Sequence, residues 1–250
     1  MLKKTSSSRL LLLILALAIL FRVITAFLLG NTIQDLPSIA DQYSYHSLAL
    51  RVLDGHGFSF DTNWWPATRA GEPTAHWSYL YTLFLAAVYG MFGPNPLAAR
   101  LIQAILGGLL MPFLTYRVAW RVFRYADKPA DEFPPIGERP ARFPRLGIFN
   151  ELWKDASQAI PLLAAAWCAF YGYFIYFAGA LMTETFYMIG ILWTLDCALR
   201  LAASRNPTEQ GQADWLTWLE LGLAIGLTAI FRQVFLPFVP FLFLWLWWVK

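Results

Sequence analysis

Residues 10–29 form an apolar run that carries a single charge, Arg22. About 20 such residues are enough to cross the hydrocarbon of a bilayer as a helix. Further apolar runs follow at 97–116, 160–181, 184–203, 215–231 and 234–249. Hydrophobic residues fill 58% of the 250 positions and charged ones 14%. Soluble domains hold about 45–50% and about 25%. A globule of this length has too little interior to hide so much apolar surface, so a bilayer is the matching solvent. The two cysteines, Cys168 and Cys197, lie inside apolar runs. They read as small core fillers rather than a disulfide framework.

Lys3, Lys4 and Arg9 precede the first run. The run is too long for the core of a signal peptide and has no A-x-A site at its end. It therefore reads as an uncleaved first span with its N-terminus in the cytoplasm. Segment 78–93 is short, contains three tyrosines and ends in Gly93-Pro94-Asn95-Pro96. Suppose it lies on the outer face or dips into it. Then stretch 117–154, Arg200, Arg205 and Lys250 join the N-terminal cations inside. Only Arg51, Arg69, Arg100 and Arg232 fall outside. If it crosses, the basic 117–154 stretch is forced outside, against the usual bias.

The predicted architecture is an all-α integral membrane protein, multi-pass in the plasma (inner) membrane. It has about six transmembrane helices, one interfacial or re-entrant helix, and a long first external loop bearing an amphipathic helix. A single transmembrane domain covers 1–250. The first span is 10–29, the external loop 31–96, and five further spans occupy 97–250 around a basic cytoplasmic loop at 117–156. That loop is rich in proline, from Pro129 to Pro144.

The first external loop holds Asp35, Asp41, Asp54, Asp61 and Glu72 against Arg51 and Arg69. Loops this long inside compact domains usually have a function. Residues 38–41 have the form of a capping box with Asp in place of Glu. The segment through Leu53 reads as a short amphipathic helix, with Gly55 and Gly57 as C-cap residues. Asp41 is then either a cap that offsets the helix dipole or a catalytic acid. His46 and His76, one on each side of the loop, fit structural or solvated histidines better than metal ligands. There is no zinc-type Cys/His cluster. No phosphate loop or dinucleotide fingerprint is present, and nothing points to nucleic acid.

The order of features is a first span, an acid opening an external amphipathic helix, and a glycine pair closing it. TAHWSYLYTLFLAAVYGMFGPNPLAARLIQAILG follows at 74–107, then GALMTETFY at 179–187. This resembles the polyprenyl-phosphate-sugar-dependent glycosyltransferases of the GT-C fold, in particular bacterial relatives of the dolichyl-phosphate-mannose protein mannosyltransferases. The likeness runs from about Arg22 to about Pro240.

The resemblance implies sugar transfer from a polyprenyl phosphate to a glycan, lipid or protein acceptor at the external face. It implies Asp41 as general base and Glu184 as a second acid. Arg232 becomes the cation for the lipid phosphate, with Arg100, Tyr45, Glu72 and His76 in the substrate site. No cofactor is required with certainty. A divalent cation held by Glu184 and Asp41 is one role open to Glu184; orienting the Asp41 helix or binding acceptor are others. Where the family often carries paired prolines, this chain has His76-Trp77-Ser78-Tyr79, which leaves Glu72 and His76 without a fixed role. Family members are longer, so the resemblance also implies a missing C-terminal portion with a later external loop.

Simpler readings stand beside these. Glu184 is also a first-turn acid favoured by the helix dipole. Arg232 can snorkel at a helix end, and Arg100 can anchor at the interface. Arg22 can snorkel outward or pair with an acid such as Glu184. Asp196 reads as structurally paired with a neighbouring span. Two other functions compete with the transferase: a non-catalytic membrane subunit, and a transporter or lipid-handling protein. A transporter should show matching halves with broken helices, and only residues 234–249 carry a proline pair, Pro237 and Pro240.

Overall fold

The computed structural model describes residues 2–33, 41–66, 68–126, 147–203 and 211–249. Residues 38–40 of the capping box, the prolines of the 117–156 loop, Arg205 and Lys250 lie outside the described residues. Among those described, the chain is all-helical. The helices are α1 (Leu2–Leu29), α2 (Asp41–Leu53), α3 (Tyr79–Phe92), α4 (Pro96–Ala126), α5 (Gly147–Phe170), α6 (Gly172–Gly179), α7 (Glu184–Ala203), α8 (Gly211–Phe231) and α9 (Phe238–Val249).

Three stretches are long and apolar enough to cross a membrane: Ser7–Leu29, Pro96–Phe123 and Glu184–Ala203. The bent pair α5–α6 makes a fourth if it acts as one span. Large apolar side chains such as Leu12 and Phe27 on α1, and Phe241 and Trp247 on α9, face outward. Water would penalise that surface and lipid accepts it, which is the mark of a membrane-embedded fold. The helix α3 has 14 residues, short of the roughly 20 a span needs. It packs on α2 through Tyr81, Leu85 and Tyr89.

Several boundaries differ from the sequence expectation: α5 already begins at Gly147, inside the loop expected at 117–156, and two further differences have physical reasons. First, α4 continues past residue 116 to Ala126, so residues 117–126 are helix where a loop was expected. The cause is electrostatic. Arg117 and Arg121 turn to Asp196 on α7, each at 2.7 Å, and this favours the extra turns of helix. Second, run 160–181 is not one straight helix. It bends by 50° between α5 and α6. Pro161 lies ten residues before the bend and is not its cause. At the bend, Arg22 of α1 donates to the Cys168 and Ala169 carbonyls, both at 3.1 Å. Its guanidinium is therefore committed inside the bundle, neither snorkelling nor paired with Glu184.

Helices α1 and α4 pack antiparallel and very closely. A Cβ at Gly108 would lie 2.6 Å from the Ile19 Cα, so only glycine permits this approach. Helices α8 and α9 form a hairpin that turns through Arg232, a 3-10 turn at Gln233–Phe235, and Pro237. Trp218 stacks on Phe243 across the two arms. Leu221, Leu242 and Leu246 share a core with Cys197 and Leu201 of α7.

Candidate functional site

Four elements converge at one end of the bundle: the start of α2, the loop leading into α3, the start of α7 and the tip of the α8–α9 hairpin. Between them lies a cleft of about 680 Å³ whose walls include Asp41, Tyr45, His76, Ser78, Arg232 and Gln233.

Local sequence explains each wall. Asp41 opens α2, where an acid is favoured by the helix dipole. Gly55 and Gly57 end that helix with φ of 80° and 65°, a conformation that side-chain-bearing residues rarely adopt. Chain 58–77 then folds over its own aromatic core. Phe60 is fully buried and stacks on Trp64 at 4.6 Å, and Trp77 meets Phe60 edge-on. Backbone bonds from Gly71 to Phe60 and from Thr74 to Phe58 brace the loop.

Ser78 joins the parts. Its hydroxyl donates to the Ile230 carbonyl at the end of α8 (3.1 Å) and accepts the Tyr81 N–H that begins α3. Its own N–H donates weakly to the Tyr45 hydroxyl at 3.5 Å. A serine just before an apolar helical run is a readable N-cap signal. Its second bond, to a carbonyl 152 positions away, has no local signature.

Arg232 sits at the break after α8 with extended backbone (φ −150°). Its guanidinium meets the Glu184 carboxylate at 3.0 Å and lies over the Tyr187 ring at 5.9 Å. Arg232 is about one-third exposed and Glu184 mostly buried. Asp41, Arg232 and Glu184 all act electrostatically on Tyr45. Burial first, and then the nearby acids, push the Tyr45 phenol up to about 12. Tyr45 therefore keeps its proton at neutral pH and serves as a hydrogen-bond donor rather than a base.

On the other side of the Glu184–Arg232 pair is a smaller pocket of about 190 Å³. Its walls include Met111, Tyr173, Phe177 and Met188, besides the ion pair itself. Tyr173 is exposed on the bundle flank. One guanidinium thus borders both a polar cleft and an apolar pocket.

The structure brings together Asp41, Tyr45, His76 and Arg232 in the cleft, with Glu184 held against Arg232. Two expected site residues fall elsewhere. Arg100 is buried, and its guanidinium is occupied by the Leu29, Gly30 and Thr32 carbonyls and by Gln42. It caps the frayed end of α1, whose last carbonyls have no helical partner, and so does not reach the cleft. Glu72 is exposed beside Arg69, 3.9 Å away, and borders a separate pocket of about 290 Å³ with Thr68 and Thr74. His76 lies between this pocket and the cleft and borders both.

Three or more His, Cys, Asp or Glu side chains do not gather as a metal site among the described residues. One carboxylate oxygen of Glu184 meets Arg232 at 3.0 Å, and the other is buried without a hydrogen-bond partner. Gln103 was not anticipated as a structural residue. It donates to the Phe177, Ala178 and Ala180 carbonyls and accepts from the Tyr81 hydroxyl. No family model, curated protein or solved structure matches the chain.

Proposed function

We propose that this chain is a membrane glycosyltransferase that takes a sugar from a polyprenyl phosphate, in the manner of the GT-C enzymes its sequence resembles. The observation that carries the reading is a single cleft bordered by Asp41 and Arg232, residues nearly two hundred positions apart in sequence. A base and a phosphate-binding cation are the two charges that such a transfer needs.

The acceptor hydroxyl loses its proton to Asp41 as its oxygen forms a bond to the anomeric carbon. The bond from that carbon to the phosphate oxygen breaks, and the electron pair leaves with the lipid phosphate. Arg232 stabilises this charge by charge-assisted hydrogen bonding. Attack by the acceptor with no enzyme nucleophile gives inversion at the anomeric carbon. Glu184 is a positioning residue: its carboxylate fixes the Arg232 guanidinium at 3.0 Å. The apolar pocket beside Tyr173 suits the first part of the lipid chain, so the phosphate sits where that pocket meets the cleft.

Helices α1, α4, the α5–α6 pair, α7, α8 and the stretch Gln233–Val249, which joins the 3-10 turn to α9, then act as six crossings of the plasma membrane. The cleft opens on the outer face, the N-terminus is cytoplasmic, and α3 is interfacial. Arg117, Arg121 and Arg200 fall on the cytoplasmic side in this arrangement, in keeping with the preference of cations for that side.

Asp41→Asn is the decisive variant. Transfer from a polyprenyl-phosphate sugar should fall by about 10²–10⁴-fold, while membrane insertion and polyprenyl-phosphate affinity stay near wild type. Wild-type turnover by this variant removes Asp41 from the mechanism.

A further inference from the structure

We propose that the pocket beside the cleft, formed by Pro66, Thr68, Arg69, Glu72 and His76, is a glycan-binding acceptor subsite with Trp65 as its stacking face. The word acceptor rests on the transferase reading above; the glycan chemistry rests on the pocket itself.

Three observations converge on it. The pocket, about 290 Å³, shares Ala75 and His76 with the cleft that holds Asp41. A ligand seated in it can extend one end toward that acid. Its polar groups suit a polyhydroxylated molecule. The Thr68 hydroxyl donates to the Thr74 hydroxyl at 3.1 Å, and both residues line the pocket. The Arg69 and Glu72 side chains are 81% and 60% exposed and only 3.9 Å apart. A pair that exposed adds little to stability, so both groups are free to exchange their contact for hydroxyl ligands.

The third observation is Trp65. It is 78% exposed and meets His76 edge-on at 6.4 Å. The loop does not need it as filler, because its neighbour Trp64 already stacks on buried Phe60 and donates to the Ser44 hydroxyl. Mutual backbone bonds between Trp64 and Thr68 hold the turn that carries Trp65. A large aromatic face on a braced loop, edge-on to a histidine that lines a pocket of charged and hydroxyl groups, matches the two sides of a sugar ring. The ring's C–H face packs on an indole and its edge hydroxyls reach a carboxylate or guanidinium. The ring that Trp65 meets is His76, which lines the pocket, and Pro66, next in the chain, lines it as well.

The pockets then lie in a functional order. Lipid enters beside Tyr173, the phosphate stops at Arg232, and the acceptor approaches past His76 from the opposite side.

The test uses the full chain in lipid nanodiscs and two independent measurements. Saturation-transfer NMR with maltotriose and chitotriose as soluble probes reads the glycan subsite. At least one probe should bind, Trp65→Ala should weaken it about tenfold, and Trp65→Tyr should stay within about threefold, since a ring face is retained. Glu72→Gln should weaken it several-fold. Equal affinity in Trp65→Ala, or no binding of either probe, overturns the proposal. So does a Trp65→Ala variant that loosens only membrane association. Binding of a short-chain polyprenyl phosphate, measured separately, should be unchanged in Trp65→Ala and weakened in Arg232→Gln. Loss of that second pattern with the first intact sinks the transferase reading and leaves a glycan site standing.

Discussion

At the cleft end of the bundle one guanidinium meets one carboxylate, Arg232 with Glu184, and a cleft opens beside them. About 18 Å further along α7, two carboxylates hold three guanidiniums. Asp196 takes Arg117, Arg121 and Arg200, while Glu220 takes Arg200 and the Trp193 N–H. Asp196 is almost fully buried. The types of charge are the same at both ends. The difference lies in partners and space. The Asp196 cluster pairs its charges with one another across three helices, so it fastens α4, α7 and α8 together. The Glu184–Arg232 pair leaves a cation beside open space, which is what binding an anion requires.

The largest expected effect would break this contrast if it failed to appear. Asp196→Ala leaves three arginines without their central counter-charge, and breaking such a buried network costs about 3–5 kcal/mol. Thermal unfolding in detergent should show a large drop in midpoint. An unchanged midpoint would mean that the cluster is not a fastener. Arg232→Gln sharpens the contrast from the other end. Its loss leaves the mostly buried Glu184 carboxylate without its counter-charge, a cost of about 1–3 kcal/mol, and losing a charged hydrogen bond to phosphate costs about 1.5–3 kcal/mol of binding. Titration with a polyprenyl phosphate should therefore show roughly tenfold or greater weakening, with a smaller drop in melting than Asp196→Ala gives. Glu184→Gln removes the charge that competes for Arg232. Polyprenyl-phosphate affinity should rise a few-fold, and a fall would show that the carboxylate helps hold the anion.

The smallest effect concerns pH. Burial, and then the nearby Arg100 charge, hold the His46 pKa below its ordinary 6.5. The unfolded chain therefore takes up this proton at a higher pH than the folded one. The contribution to stability is complete above 6.5 and declines as pH falls through 6.5 toward the folded value. His46 also shares a 2.9 Å hydrogen bond with Tyr89, so acid should loosen the α2–α3 contact first. Melting curves of wild type and His46→Gln between about pH 7.5 and about pH 5 should differ in slope, with the variant flatter.

Much of the scaffold was legible because apolar runs and glycines act locally. The glycine pair at Gly55 and Gly57 ends α2 as expected, and Leu29 ends α1 where the first run stops. The pairing of Asp41 with Arg232 was implied by the family resemblance, and both line one cleft. What stayed hidden depends on unsatisfied backbone. Arg22 and Arg100 look like interfacial cations in the sequence. Their roles are decided by carbonyls freed at Tyr171 and after Leu29; Gly30 and Gly172 mark those breaks, but nothing local marks which distant side chain reaches them. The length of α4 was hidden for a related reason: Arg117 and Arg121 read as loop cations until their partner on α7 is known.

The serine at position 78 links a loop, two short helices and the end of α8 through three hydrogen bonds. A mouth tied at so many points is already shaped before anything arrives. Little conformational freedom is left to be lost on association, so affinity there reflects the match of the incoming molecule more than the cost of moulding the host.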